Sequence, residues 1–400
     1  MKRWIAWMLA LLMLAGCAAS GAQRGPATET TMDFAVNLFR EAAEPGENTL
    51  VSPLSVLTAL AMAANGMEGE TLAQVETVLG GTREALNCWL KNFTSDGVQK
   101  LANGIWVKED ANFRPQQDFL DVVQKTYDAQ IQTAPFDAST RDEINSWVNE
   151  KTDGMIDEIV DEIPTEAVLY LVNALAFDAD WANPYAEDQV RKETFTTEDG
   201  EAQCVDMMFD TVHNYLRMEG ATGFLKWYEG QKYAFVALLP DAGVPVAALL
   251  DSLTGEQLAQ LLENPESTPV KTAIPRFEAE GEADLKEVLG KLGMVHAFDE
   301  DRADLSAMGM YENAGLYISR VLHKTYMEVA EQGTRAGAAT AVEVAYATGA
   351  VGPQEEPVTV YLDRPFVYMI VDMEHSYPIF MGTYMEATEN ELLPVKWTVK

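Results

Sequence analysis

The chain has 400 residues, enough to bury a large core, and its 63 acidic against 28 basic side chains give a net charge of −35. That balance excludes a protein that binds nucleic acid through a basic surface, and it opposes electrostatic attachment to anionic lipid. It favours encounter with basic partners, although such charge also serves simply to keep a surface soluble. Length alone suggests two or three domains.

Residues 1–17 read as a targeting segment rather than as part of the fold. Lys2 and Arg3 supply a charged start, and Trp4 to Ala15 form an apolar run too short to span a bilayer. The run ends in Leu14-Ala15-Gly16-Cys17, which resembles a bacterial lipobox. That resemblance implies lipidation of Cys17 and export to the cell envelope, with shedding as a further fate; the alternative is ordinary signal cleavage beside an incidental cysteine. Residues 18–30 are small and polar with one proline and read as a flexible tether. Apart from Cys17 only Cys88 and Cys204 remain, far apart, and two buried thiols are expected rather than a disulfide.

From Thr31 the globular part begins, with Phe34 and Leu38 at helical spacing. NTLVSPLS, residues 48–55, leads into a small-residue helix, VLTALAMAANG, with proline just inside its start and glycine at its end. Ala59, Ala61, Ala63 and Ala64 leave room for a neighbouring element to approach closely. Much later, Ser319 to Ala330 (SRVLHKTYMEVA) has the β-branched, partly alternating pattern of a strand, and Gly333 can take the open dihedrals of a hinge.

Glu331 to Thr348 (EQGTRAGAATAVEVAYAT) is made almost wholly of small and β-branched residues. At strand period, Thr334, Ala336, Ala338, Thr340, Val342, Val344 and Tyr346 share one face. Ala339 and both charges, Arg335 and Glu343, fall on the other. No proline interrupts the run, and nothing bulky anchors residues 333–352. On pattern alone it reads either as a loop that is a strand not yet in use, or as an Ala-rich helix or passive loop. Glu355-Glu356-Pro357 makes a solvated turn before the strand-like VTVYL.

EQGTRAGAAT is similar to the reactive-centre-loop hinge of inhibitory serpins, where a glycine and a threonine precede small residues that slide into a sheet. Arg335 departs from the family's frequent glutamate, on the outward face. The motif N-x-x-x-S-P-x-S at 48–55 resembles a serpin segment, and so does LANGIWV at 101–107. INSWVNEKT and MIDEIVDEI, residues 144–152 and 155–163, resemble the helix that crosses the front of the main sheet. LVNALAF at 171–177 with Trp181 and Tyr185, Val205–Met208, Tyr233–Pro240 and IPRF at 274–277 follow in the family's order. Leu289–Phe298, Arg364-Pro365-Phe366 and PIFMG at 378–382 complete it; Asp178 and Asp180 differ from the usual lysine and glycine. The resemblance covers 31–387 and implies a single α+β domain, 31–390, with a tail at 391–400. It further implies three β-sheets, eight or nine helices and an exposed reactive-centre loop.

What the resemblance implies about function is suicide inhibition of extracellular serine proteases by a monomer. The bait bond is cut, the loop enters the central sheet, and the protease is trapped as a covalent acyl-enzyme. The family's hinge maps onto Glu331, Gly333, Thr334, Ala336, Ala338, Ala339 and Thr340. Its shutter, a hydrogen-bond network beneath the opening sheet, maps onto Ser52, Ser55, Asn173 and His323; its breach, at the upper opening, maps onto Trp181, Arg276 and Glu331. Family spacing from Gly333 puts the scissile bond at Ala347-Thr348, with Tyr346 beside it; counting back from Pro365 gives a later bond, because this loop is longer than usual. Alanine before the cut suits elastase-like or subtilisin-like proteases, and no Lys or Arg lies between Arg335 and Arg364 to suit a trypsin-like one. Two other readings are a non-inhibitory serpin serving as a surface scaffold and a generic surface lipoprotein.

Residue chemistry argues against an enzyme. Histidine occurs only at 213, 296, 323 and 375, and H-E-x-x-H, G-x-S-x-G, a P-loop, G-x-G-x-x-G and C-x-x-C are all missing. No cofactor or metal is expected, and contact with a membrane is expected only through a lipid anchor.

Overall fold

The helix Pro53–Ala64 lies at the centre of a computed structural model that describes residues 28–164, 166–312, 314–335, 356–388 and 391. Its start follows from sequence: Ser52 caps it, the Ser52 hydroxyl accepting from the Ser55 N–H, and Pro53 occupies the first turn, where no backbone donor is needed. Nearly all of it is buried, as an apolar helix without a polar face must be. It packs between the strands Leu169–Phe177 and Tyr377–Tyr384.

Behind it lies a six-stranded antiparallel sheet. Its order is Thr49–Val51, Tyr377–Tyr384, Phe366–Asp372, Tyr233–Pro240, Ala221–Trp227, Tyr215–Met218. The three strands after the edge strand are buried along their whole length, which is why they read as continuous apolar runs rather than alternating ones. A second, four-stranded sheet runs Val358–Tyr361, Val270–Pro275, Ala202–Val212, Val190–Thr196.

The main sheet is divided. One ladder joins Gln130–Ala134, Gln99–Lys108 and Leu169–Phe177; the other joins Phe277–Asp284, Leu322–Val329, Gly333–Arg335 and Ala179–Asp180. Leu169–Phe177 and Leu322–Val329 share no ladder pair. The halves meet only at one end, because Ala179–Asp180 prolongs Leu169–Phe177 past Asp178 and pairs with Gly333–Arg335. A small ribbon, Phe113–Pro115 with Gly309–Tyr311, completes the strands, and nine α-helices are present among the described residues. One main core includes residues from Met32 to Ala387, so the two or three domains suggested by length give way to a single α+β domain.

The helix Ala138–Lys151 lies over the outer face of the main sheet, where Trp147 meets Trp106 edge to face at 5.2 Å. It is shorter than the sequence suggests. Asp153 and Gly154 both take positive φ, 51° and 80°, and end it, so MIDEIVDEI runs on without helix. That stretch is held instead by Ile156 and Val160 in a second apolar cluster and by Asn145, whose side-chain oxygen accepts from the Ile159 and Val160 N–H groups. The first helix, Thr28–Ala42, begins within the segment read as a tether. Cys88 and Cys204 form no disulfide, and both are half-buried.

Candidate functional site

The strand Leu322–Val329 ends in a tight turn, closed by the Ala330 N–H donating to the Gly333 carbonyl at 3.0 Å, and the chain runs straight back as Gly333–Arg335. This short strand is paired on both sides. Val329↔Thr334 and Glu328↔Arg335 face each other on one side, Ala179↔Thr334 and Asp180↔Gly333 on the other. The hinge is therefore partly in use as a strand, where the sequence suggested a loop still to be recruited. The need for glycine also differs from expectation. Gly333 does not adopt positive φ; a Cβ there would collide with the Ala179 carbonyl, so close strand approach selects it.

Thr334 is wholly buried, and its hydroxyl lies 2.5 Å from the Tyr228 hydroxyl. Tyr228 is stacked on Trp181, ring centroids 4.4 Å apart and planes at 11°. Trp181 in turn grips the turn before the hinge: its backbone N–H donates to the Gln332 carbonyl and its indole N–H to the Ala330 carbonyl, both at 2.8 Å. The Tyr185 N–H donates to the Glu331 carbonyl at 2.9 Å. Arg276 forms an ion pair with Glu331, so Trp181, Arg276 and Glu331 do come together at the mouth of the sheet. The pair is substantially exposed, and such pairs add little stability.

Sequence reasoning missed what lies behind the mouth. Lys226 is 3% exposed, and its ammonium donates to Asp210 at 2.6 Å and to the Asn183 carbonyl at 3.0 Å, while lying 4.3 Å from the Tyr185 ring centroid. Burial lowers its pKa, and the Asp210 carboxylate works against that fall. Nothing in an isolated "LKW" marks a lysine as internal. Tyr228 was equally illegible, since its importance arises from a stack between residues distant in the chain.

Further down the sheet, the polar residues expected from sequence form a connected network around the start of the central helix. The Ser52 N–H donates to His323 Nε2 at 3.0 Å, and the Ser52 hydroxyl donates to the Ile379 carbonyl at 2.7 Å. The Ser55 hydroxyl donates to Asn173 Oδ1. Asn173 then donates to Asn103 Oδ1 at 2.7 Å, and Asn103 to the Tyr127 carbonyl at 2.8 Å. His323 and Asn173 thus sit on opposite strands of the divided sheet, each tied to the helix below. Complete burial depresses the His323 pKa to about 4, so the ring is neutral and accepts the Ser52 N–H. Asn103 was read only as part of a strand; an asparagine on the inward face of an apolar strand was the available signal.

Beside this network the sheet stands open. A cavity of about 270 Å³ separates the lips formed by residues 166–173 and 314–323, and its floor is the central helix, at Ala59, Leu60 and Ala63. Ala336, Ala338, Ala339 and Thr340 of the hinge, the bond neighbours Tyr346, Ala347 and Thr348, and Cys17 lie outside the described residues. Among the described residues no group of three or more His, Cys, Asp or Glu side chains is placed to hold a metal ion.

Comparison with known proteins bears directly on this arrangement. The family model described as serpin (serine protease inhibitor) matches residues 29–387. The chain is a serpin. It is 30% identical over 377 residues to an uncharacterized serpin-like protein of Thermococcus kodakarensis, covering 91% of this chain and 86% of that protein. It is 31% identical to the leukocyte elastase inhibitor of Equus caballus, covering 88% and 97%. The crystal structure of the thermophilic serpin tengpin in its native state superposes with a TM-score of 0.84 at 40% identity, over 92% of this chain and 96% of that one. Tengpin in its latent state gives 0.79, also at 40% identity, over 90% and 98%. Serpins are protease inhibitors rather than enzymes, and they form complexes with serine proteases.

Proposed function

We propose that this serpin inhibits extracellular serine proteases by the suicide route. The protease serine attacks the carbonyl of the bait residue, the peptide bond breaks, and the new amine departs with the C-terminal part of the loop. The loop then enters the main sheet before water can cleave the ester. One observation carries this reading: the first hinge residues are already paired between the two halves of a sheet that is open below them. Were the loop to extend both antiparallel ladders after cleavage, the same register would set Thr340 opposite His323 on one side and Asn173 on the other. Some 14 residues, Thr334 to Ala347, would carry the bound protease roughly 45 Å along the sheet. The uncleaved form is then kinetically trapped rather than most stable.

The bait bond in this reading is Ala347-Thr348 and the targets are elastase-like or subtilisin-like. The protein acts as a monomer, held to a bacterial envelope by lipid on Cys17. Incubation with a panel of serine proteases, followed by denaturing electrophoresis and mass analysis of the released peptide, tests it. A denaturant-stable complex with a peptide beginning at Thr348 is expected. Cleavage of the loop by every protease without complex would overturn inhibition in favour of a binding scaffold.

A further inference from the structure

We infer that the gap in the main sheet is a binding site for a small apolar molecule carrying one uncharged carbonyl oxygen, with that oxygen at the end marked by His323 and Asn173. The polar end of the cavity offers donors and no free acceptor. His323 and Asn173 line it from opposite lips and are 6% and 9% exposed. His323 Nε2 accepts from the Ser52 N–H, so it carries no hydrogen and the ring proton sits on Nδ1. That Nδ1–H has no acceptor among the described residues. Asn173 gives its oxygen to the Ser55 hydroxyl and one amide hydrogen to Asn103, and its second amide hydrogen is likewise without an acceptor among the described residues. Buried donors left in this state are costly. An oxygen at this end of the gap meets a waiting donor on either lip.

The rest of the cavity asks for an apolar body. Its floor is Ala59, Leu60 and Ala63, and Leu171, Ile318 and Leu322 face it from the lips. Ala59, Leu171, Ile318 and Leu322 are only partly buried, although they border the core. A water molecule accepts at the polar end but gains nothing along this apolar remainder. The volume, about 270 Å³, suits a compact molecule with one ring or a short chain.

Charge selects a carbonyl over a carboxylate. Among the described residues lining the cavity, Arg320 is the only Lys or Arg. It stands three residues from His323, about 10 Å of extended chain, and leans towards Asp284 at 3.7 Å. Glu166 also lines the cavity. A carboxylate beside His323 and Asn173 is therefore buried without a counter-charge, which an uncharged oxygen avoids. An occupant fills the space between the lips and competes with an incoming strand; this consequence, though not the site itself, rests on the insertion reading above.

The test titrates the uncleaved full chain with three probes of one shape. They are benzylacetone, its alkene isostere in which =CH2 replaces the carbonyl oxygen, and hydrocinnamate, in which O− replaces the methyl group. Binding is read from the rise in denaturation temperature and from the Nδ1–H resonance of His323 in protein with isotopically labelled histidine, assigned by its loss in His323→Gln. Benzylacetone should bind about five-fold tighter than the alkene and about ten-fold tighter than hydrocinnamate, and should shift the His323 resonance. Ala59→Leu fills the floor and should abolish binding while the protein keeps a cooperative unfolding transition. An alkene that binds as tightly, or an unmoved resonance, would overturn the polar end. Hydrocinnamate binding tightest, with that binding lost in Arg320→Gln, would overturn the choice of an uncharged ligand. No binding, or binding untouched by Ala59→Leu, would overturn the site. With a panel protease, saturating benzylacetone should lower the ratio of covalent complex to cleaved product in proportion to occupancy. Binding without that fall would uphold the site and instead refute strand insertion through this gap.

Discussion

The hydroxyl of Thr334 lies 2.5 Å from the hydroxyl of Tyr228, and both side chains are buried. This single hydrogen bond ties the first inward residue of the hinge to the sheet behind it, beneath a Trp181 ring that also grips the preceding turn. In the proposed mechanism, insertion would therefore start from a seated residue rather than from a free loop. Any group placed at 334 must fit a closed, nearly apolar site before the rest of the strand can follow.

Thr334→Arg should convert the inhibitor into a substrate. An unpaired charge buried in a sheet costs several kcal/mol, enough to slow insertion relative to hydrolysis of the ester. Tyr228→Phe removes only the hydroxyl partner and should cost about 1 kcal/mol, leaving complex formation largely intact. The two are read on one gel as complex against cleaved product. Full complex yield from Thr334→Arg would contradict the inward placement of this residue.

Protonation of His323 gives a pH-dependent prediction whose sign is fixed by burial. The folded pKa, about 4, lies below the ordinary value of 6.5, so between these values the unfolded chain binds the extra proton. Stability from neutral His323 is thus complete above about pH 6.5 and is lost as pH falls towards 4, by about 3 kcal/mol in all. His323→Gln can still accept from the Ser52 N–H but does not titrate. The difference in unfolding free energy between wild type and variant should shrink across that window. A difference that does not vary with pH would remove His323 as the titrating group.

How much of this was readable beforehand follows from how locally each feature is encoded. The cap at Ser52 and Pro53, the buried helix and the small-residue hinge are short-range patterns, and the sequence displays them. Polar residues at inward strand positions, such as Asn173 and His323, are readable as demanding partners, and the fold supplies those partners from the start of the central helix, at Ser52 and Ser55. Lys226 and Tyr228 act through neighbours tens to hundreds of residues away, so no local pattern marks them. MIDEIVDEI has helical spacing, yet the positive φ at Asp153 and Gly154 and the capture of its backbone by Asn145 override that preference.

Lys226 and Asp210 should respond unequally to substitution. Asp210→Ala leaves a nearly inaccessible ammonium without a counter-charge, held by the Asn183 carbonyl and the Tyr185 ring face, and should destabilise the fold by about 3 kcal/mol or more. Lys226→Met keeps the stem packed near Tyr185, and the partly exposed Asp210 retains the Thr211 N–H, so the loss should be about 1 kcal/mol. Denaturant unfolding of the uncleaved protein measures both. Equal losses would show that the pair is valued for its shape alone.

Specificity should follow the residue before the cut. Alanine at 347 meets no clash in a small apolar pocket, and Val344 and Tyr346 offer apolar contact upstream. An arginine there needs a buried counter-charge, which a trypsin-like pocket has and an elastase-like pocket lacks. Specificity is a difference of two affinities, so one substitution should move both rates in opposite directions. Ala347→Arg should therefore lower the association rate constant with an elastase-like or subtilisin-like protease and raise it with trypsin, by ten-fold or more if about 1.4 kcal/mol is gained or lost. The mass of the released peptide fixes the bond independently. A peptide beginning well beyond Thr348, with neither rate changed, would place the bait bond later in the loop, as the count back from Pro365 allows.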